Sequence, residues 1–441
     1  MKLSRKKLSG AFLERFREQI RHCTRCAGCL PACPTFGATG EETLSPRGRM
    51  MLIGAALDGE LPLTRSFARR LSQCLLCGAC TAACPSGVNV SEAILAMREE
   101  LARSGSSRLA RAGSRRLFGV RPDARRRLLD FGGSVYGKAP NRDFVPWRYQ
   151  DRKRAIPHPG RNPLEEVIAE TTPAEGGPSE SSVRRVALFP GCATSLFYQQ
   201  TASAAARVLA RAGMDVVFPR GLSCCGQPLR SIGETAAAAS LARKNLDILR
   251  RCHAGTVVTV CSSCALTLAR AASRQEAEFQ VSDIHALLAG MRTGGAPPAE
   301  PATTSDMKLA GPGTADPLPP ARTRVAWHDP CHLGRGLGLI REPREIIAGL
   351  PGVEYVEAGE LRCCGGGLLC LQHYGLALKI GIPRAEELAA TGAMIVATGC
   401  PGCRMQLEDM LGRLDSDIRV MHTVELLDGG WAGKPIGNQK D

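Results

Sequence analysis

Eighteen of the chain's twenty cysteines fall into four spaced sets, and binding metal is the chemistry that such spacing serves. Two sets share one run, Cys23-x-x-Cys26-x-x-Cys29-x-x-x-Cys33-Pro34 and Cys74-x-x-Cys77-x-x-Cys80-x-x-x-Cys84-Pro85. This is the bacterial two-cluster iron-sulfur spacing. Three cysteines on a tight loop can cap three corners of a cubane, while the fourth, after a longer step and before a helix-breaking proline, points to the other cluster. The spacing therefore assigns Cys23, Cys26, Cys29 and Cys84 to a first [4Fe-4S] cluster and Cys74, Cys77, Cys80 and Cys33 to a second. Zinc usually takes its four ligands as two pairs and fits this doubled run poorly. Gly28 and Gly78 suit loops whose backbone passes close to a cluster and donates amides to its sulfurs, although an ordinary turn would use them equally well.

The other ten cysteines form a repeat. Cys192, Cys224, Cys225, Cys261 and Cys264 map onto Cys331, Cys363, Cys364, Cys400 and Cys403 by a constant offset of 139, without a gap. Adjacent cysteines cannot easily chelate one ion because their side chains diverge, but they can reach different irons of an extended cluster. The glycine after each pair, Gly226 or Gly365, permits the sharp turn required. Zinc stays open here, since Cys-x-x-Cys alone would suit it.

Those cysteines need elements to hold them. In each repeat a short apolar strand (Val186 to Phe189; Val325 to Trp327) runs into the first cysteine, and a second strand (Val216 to Phe218; Glu354 to Val356) precedes Cys-Cys-Gly. After a longer helix, a buried strand (Thr256 to Val260; Met394 to Thr398) delivers Cys-x-x-Cys to the start of another helix. Alternating strands and helices imply a parallel α/β layer in each half. Cysteines at strand C-termini and helix N-termini occupy the usual site position of open α/β sheets, where the helix dipole favours thiolate. The predicted domains are 1–102 with the first two runs, 103–182 as a basic helical connector and linker, 183–290 and 323–430 as the repeats, and 291–322 as a Pro-rich disordered linker.

Composition narrows the classes. The cysteines point to a reducing cytoplasm, because Met1 to Ile20 is charged throughout and lacks the apolar stretch of a signal peptide. No run approaches the roughly 18 apolar residues of a spanning helix. Of the formal charge of +15, the segment Arg103 to Arg161 carries most, with sixteen Lys and Arg against four Asp. Few aromatics interleave with these arginines and no helix-turn-helix or finger pattern accompanies them, so nucleic acid is not expected as a partner. Arginines around Leu109, Leu117, Phe118, Leu128 and Leu129 are compatible with an amphipathic helix lying on the inner face of an anionic membrane, or equally with a solvated or partner-docking face.

The pattern Cys, Cys-Cys-Gly, Cys-x-x-Cys, twice, behind two ferredoxin-type runs resembles the iron-sulfur subunits of glycolate oxidase and lactate-utilisation systems. It is also similar to the catalytic subunit of membrane-bound heterodisulfide reductase and to the small subunit of anaerobic glycerol-3-phosphate dehydrogenase. The resemblance covers nearly the whole chain apart from its linkers. It implies a multidomain α plus α/β protein: an α-helical ferredoxin-like two-cluster domain with two [4Fe-4S] cubanes, then two α/β cysteine-rich (CCG) domains carrying further clusters. The implied role is to pass electrons from an FAD-containing dehydrogenase subunit, acting on glycolate or D-lactate, toward a quinone or similar acceptor. In heterodisulfide reductases a complete five-cysteine set holds a noncubane [4Fe-4S] cluster that acts on disulfides, which is the rival reading. Glycolate oxidase subunits often lose one cysteine of Cys-x-x-Cys, whereas Cys261-Ser262-Ser263-Cys264 and Cys400-Pro401-Gly402-Cys403 keep both. Ser45-Pro46-Arg47-Gly48-Arg49, between the first two runs, resembles the glycolate and lactate type instead.

Other residues carry weaker signals. His328 and His332 flank Cys331 and read as groups beside a cluster more readily than as ligands. Cys252 has no counterpart in the second repeat and reads as an ordinary helix cysteine, while Cys370 falls near Cys364. Gly334, Gly336 and Gly338 lack the G-x-G-x-x-G spacing, so no flavin or nicotinamide is expected on this chain.

Overall fold

The computed structural model describes residues 11–104, 184–292, 322–367 and 372–429, together with 162–175 and isolated positions between 112 and 160. Most of the basic connector, most of the 291–322 linker, and Cys370 lie outside the described residues. The chain divides into two compact units, one of Met1–Gly119, Gly226–Ser240 and Arg362–Arg384, the other of Val120–Cys225, Leu241–Leu361 and Ala385–Asp441.

In the first unit short capped helices space the cysteine loops. Ser45 opens the helix Pro46–Leu57 by accepting the Gly48 amide at 2.8 Å, with Pro46 on the first turn where its missing N–H costs nothing. Thr64 caps Arg65–Ser72 and Asn89 caps Val90–Arg103 in the same way. Phe16, Met50, Ile53, Phe67, Leu71, Ile94 and Met97 close a core against which Cys23, Cys29, Cys74 and Cys84 pack. The unit also contains the stretch that follows each Cys-Cys pair. Leu376 and Ile380 pack on Ala38 and Leu75, Ser72 Oγ lies 2.8 Å from His373 Nε2, and Arg98 Nη1 donates to Ser231 O at 2.6 Å. Gly233, at φ +86°, lets the backbone pass so close that a Cβ there would lie 2.4 Å from Arg98 O.

The second unit holds two sheets. In the first, β1 (Thr171–Thr172), β2 (Arg184–Phe189), β3 (Met214–Val217), β4 (Thr256–Thr259) and β5 (Gln280–Asp283) run in the order β1-β3-β2-β4-β5, all parallel except β1. In the second, β6 (Thr323–His328), β7 (Val353–Val356), β8 (Ile395–Thr398) and β9 (Arg419–His422) run β7-β6-β8-β9 and are parallel throughout. Each of β6 to β9 lies 139 residues after its counterpart among β2 to β5, so the cysteine offset is an offset of whole folds. Strand β1 comes from the segment read as connector. Residues 162–175 are fastened there by Glu165 Oε1, which accepts the Gly221 amide, and by β1 pairing with β3.

This strand order reverses direction between β2 and β4 in one sheet and between β6 and β8 in the other. The crevice beyond the C-terminal ends of such strands is where open α/β sheets place their sites. Cys192 follows β2 and Cys261 follows β4; Cys331 follows β6 and Cys400 follows β8.

Candidate iron-sulfur centres

The first-unit loops share an unusual backbone. Arg25 and Ala27 are left-handed at φ +57° and +67°, and 51 residues later Leu76 and Gly78 repeat this at +55° and +73°. The counterpart of Gly78 is thus Ala27, not Gly28, which is absent from the left-handed set and has room for a Cβ, the nearest neighbour being Cys26 Sγ at 3.7 Å.

Cys33 shares one cavity of about 320 Å³ with Cys74, Cys77 and Cys80, walled also by Pro46, Arg49 and Ile94. Burial first, then the neighbouring Cys74, Cys77 and Cys33, push the Cys80 thiol far up. Four thiolates cannot share such a space without positive charge among them. Arg49, only 1% exposed, sits in this wall with Nη2 unpartnered, its Nη1 donating to Thr35 Oγ1 at 3.0 Å. Arg98, also buried, donates to the carbonyls of Leu71, Cys74 and Ser231. Burying guanidinium groups is costly unless an anion accompanies them. A four-thiolate iron-sulfur cluster, anionic overall, fits this donor set and these cations.

The remaining first-unit cysteines line the other side. A Cβ on Gly28 would lie 3.8 Å from Ala83 O and 4.0 Å from Pro85 Cδ, so the first loop abuts the segment carrying Cys84. Cys26 is exposed, and the Gly28 amide, followed by the Thr24 hydroxyl, holds its pKa down. Burial raises Cys29, opposed by the Arg47 amide. The Ser45–Arg49 element therefore serves both sides: Arg47 stands at the first loop and Arg49 at the cavity of the second. Gly48 between them cannot be larger, because a Cβ would fall 1.9 Å from Glu42 O.

In the second unit Cys192 Sγ lies 3.7 Å from Cys224 Sγ, and Asn245 holds the Cys-Cys turn by donating to Cys224 O at 3.0 Å. Gly191, at φ +83°, makes way for Cys264, whose Sγ would sit 2.9 Å from a Cβ there. A cavity of about 520 Å³ lies beside Cys192, between residues 162–165 and Phe218–Ser223. Hydrogen bonds link the thiols of Cys225, Cys264, Cys261, Cys400 and Cys403 in sequence, so the two five-cysteine sets meet at Cys261 and Cys400. The Ser262 amide donates to Gly399 O at 3.3 Å beside them. Cys264 is pushed up by its bonds to Cys225 and Cys261. Cys261, drawn down by Cys264, is carried up overall by Cys400 and by burial. Cys400 is held well below a normal thiol by hydrogen bonds from Cys261 and Cys403. In the second set, Cys363 and Cys364 belong to the first unit and Cys331, Cys400 and Cys403 to the second.

His328 ends β6, fully buried. His332 Nδ1 lies 2.7 Å from Ser263 Oγ, and its charge contributes to lowering Cys400. Cys252, expected on a helix, lies instead in the turn just after the helix Thr235–Arg250, where its Sγ donates to Ile248 O at 3.6 Å. Gly334 and Gly336 are packing residues, since a Cβ would meet Leu361 Cδ1 at 2.2 Å and Leu266 Cδ2 at 2.7 Å. Sequence reasoning missed a buried polar group: His285 Nδ1 lies 2.6 Å from Asp283 Oδ1 and Nε2 2.9 Å from Thr423 Oγ1, while His422 Nε2 donates to Val260 O at 3.0 Å. Its signal was available, because Asp283 and His422 occupy equivalent repeat positions and differ.

Known proteins are similar to the same segments of the chain. Residues 19–88 match the 4Fe-4S dicluster domain, and 186–269 and 325–408 each match the cysteine-rich domain. The probable glycolate oxidase iron-sulfur subunit of Bacillus subtilis is 27% identical over 96% of both chains. One of the subunits of the dihydromethanophenazine:CoB–CoM heterodisulfide reductase of Methanosarcina mazei is 26% identical over 93% of both. One of the subunits of the CoM/CoB fumarate reductase of Methanothermobacter marburgensis is 28% identical, over 93% of this chain and 72% of its own. The chain belongs to the iron-sulfur proteins in which a dicluster domain precedes two cysteine-rich domains. Within that class it is an electron-transfer subunit of an oxidoreductase complex, of the kind that includes glycolate oxidase iron-sulfur subunits. No described helix is long and apolar enough to cross a membrane.

Proposed function

We propose that the chain is the electron relay of a flavin-dependent 2-hydroxy-acid dehydrogenase, acting on glycolate or D-lactate. A separate FAD-containing subunit removes hydride from the acid, and this chain passes the electrons on toward a quinone or similar acceptor. The observation that carries this reading is the match along 96% of both chains to a probable glycolate oxidase iron-sulfur subunit. Cys33, Cys74, Cys77 and Cys80 hold one [4Fe-4S] cluster, and Cys23, Cys26, Cys29 and Cys84 the other. Cys192, Cys224, Cys225, Cys261 and Cys264, and Cys331, Cys363, Cys364, Cys400 and Cys403, hold further clusters. Bound clusters supply one-electron steps between the two-electron chemistry of flavin and quinone. The chain's own residues do the rest: Arg49 and Arg98 offset buried negative charge beside Cys33, Cys74, Cys77 and Cys80.

A second reading has its own support. Both repeats retain all five cysteines, and five of those ten thiols, Cys225, Cys264, Cys261, Cys400 and Cys403, lie in one hydrogen-bonded row, which favours a disulfide or heterodisulfide reductase whose cysteine-rich sets are themselves catalytic. Co-purification of the native complex decides between them. A flavin spectrum and bleaching by glycolate or D-lactate support the relay. A new paramagnetic signal, stoichiometric with protein, when a disulfide is added to the reduced chain reverses the assignment.

A further inference from the structure

We infer that the loop Cys23–Cys29 is the face through which the chain exchanges electrons with a protein partner, and that the partner meets it with an acidic patch; the inference rests on the relay reading. The two cysteine loops share a backbone but not an environment. In the first, Thr24, Arg25 and Cys26 are exposed, as are Arg21 and His22 just before it. In the second, Cys77 and Cys80 are buried, Leu75 packs with Leu376 and Ile380, and the Cys74 carbonyl accepts from Arg98. One loop faces outward; the other is covered by the chain's own segments. Electron transfer falls steeply with distance, so a partner's cofactor gains most by approaching the first.

Charge separates the loops as well. Between Gln19 and Gly40 there is no acidic residue, and Arg21, His22 and Arg25 supply the charge; from Gln73 to Ser91 there is no charged residue at all. Arg21 and His22 close the helix Ala11–His22, where cations also suit the dipole. Arg25 lacks that explanation. It holds a left-handed backbone at φ +57°, costly for any residue but glycine, while its side chain stands in solvent beside an exposed cluster cysteine. A compact cationic rim steers and orients an anionic partner. It falls short of the roughly four to eight basic residues that mark a lipid surface.

The test uses the full reconstituted chain and reduced flavodoxin, an acidic one-electron protein donor, as probe. Arg21→Glu with Arg25→Glu should slow the second-order reduction rate at least tenfold and flatten its dependence on salt. Arg25→Gln alone should give a smaller loss in the same direction. Bleaching by dithionite and iron content should not change, and Arg65→Glu, an exposed charge elsewhere on the unit, should leave the rate unaffected. Unchanged rate and salt dependence in both loop variants overturn the docking inference while leaving the relay reading standing. A wild-type chain that takes electrons from dithionite but from no protein donor overturns both. Sedimentation with anionic vesicles at low salt, abolished by the same reversal, overturns it in favour of a lipid surface.

Discussion

Replacing the glycine of the first Cys-Cys-Gly by alanine tests whether this turn is dictated by backbone shape. Gly226 has φ +95°, and an alanine Cβ would stand 2.6 Å from Ala238 O and 3.0 Å from its Cα, both main-chain atoms that cannot swing aside. The left-handed conformation costs about 1–2 kcal/mol for an L-residue. Forcing a methyl against packed backbone costs about 1–3 kcal/mol more. Together, about 2–5 kcal/mol is a large part of the ~5–15 kcal/mol typical of a domain. Gly365 repeats the geometry at φ +77°, with a Cβ 2.9 Å from Ala377 O, 139 residues after Ala238. Its alanine variant should suffer slightly less. Gly375, in the first turn of the helix Tyr374–Ala390, has nothing within 4 Å, so alanine there should not destabilise. Urea titration of the apo chain followed by circular dichroism compares the three midpoints without assuming two-state unfolding. Iron retention after desalting should fall for Gly226→Ala, since Cys224 and Cys225 move with the turn. Equal midpoints for Gly226→Ala and Gly375→Ala would refute the reasoning.

Exchange of ligands between the two runs is tested by serine variants. Cys33→Ser should perturb the cluster held with Cys74, Cys77 and Cys80, and Cys84→Ser the other; paramagnetic resonance of the two singly altered proteins shows whether each signal follows its assigned set. Arg49→Gln removes a buried cation beside the Cys33 cavity, so the potential of that cluster should move negative by roughly 40 mV for each kcal/mol of lost interaction, read by redox titration. His373 is held down to about 4 by burial and by repulsion from Arg69 and Arg98. Its folded pKa lies below its unfolded value near 6.5, so the associated stability is present above about pH 6.5 and lost as pH falls toward 4. Allowing for partial exposure, this amounts to roughly 1–3 kcal/mol, and His373→Gln should flatten the fall in urea midpoint between pH 7 and 4.

Much of the site could be read from the chain alone because iron-sulfur ligation is written in short spacings. The Cys-x-x-Cys runs, the gapless offset of 139 and the apolar strands ending at Cys192, Cys261, Cys331 and Cys400 are local patterns, and the strands lie where those patterns put them. Other features depend on residues far apart in sequence, where periodicity carries no signal. Ala27, rather than Gly28, holds the left-handed position because loop closure sets its φ. Leu376 and Ile380 cover the second loop some 300 positions away, which no window around Cys74 could reveal. Tertiary packing likewise lends β1 to the first sheet and fills equivalent repeat positions with Asp283 and His422, each satisfied by a different neighbour. The sequence by itself determined which cysteines recur at ligand spacing and that the fold is duplicated. Only the tertiary structure decided which loop faces solvent, which buried arginines stand against the thiols, and that the two cysteine sets meet at Cys261 and Cys400, because exposure and pairing are properties of contacts the chain makes only once folded.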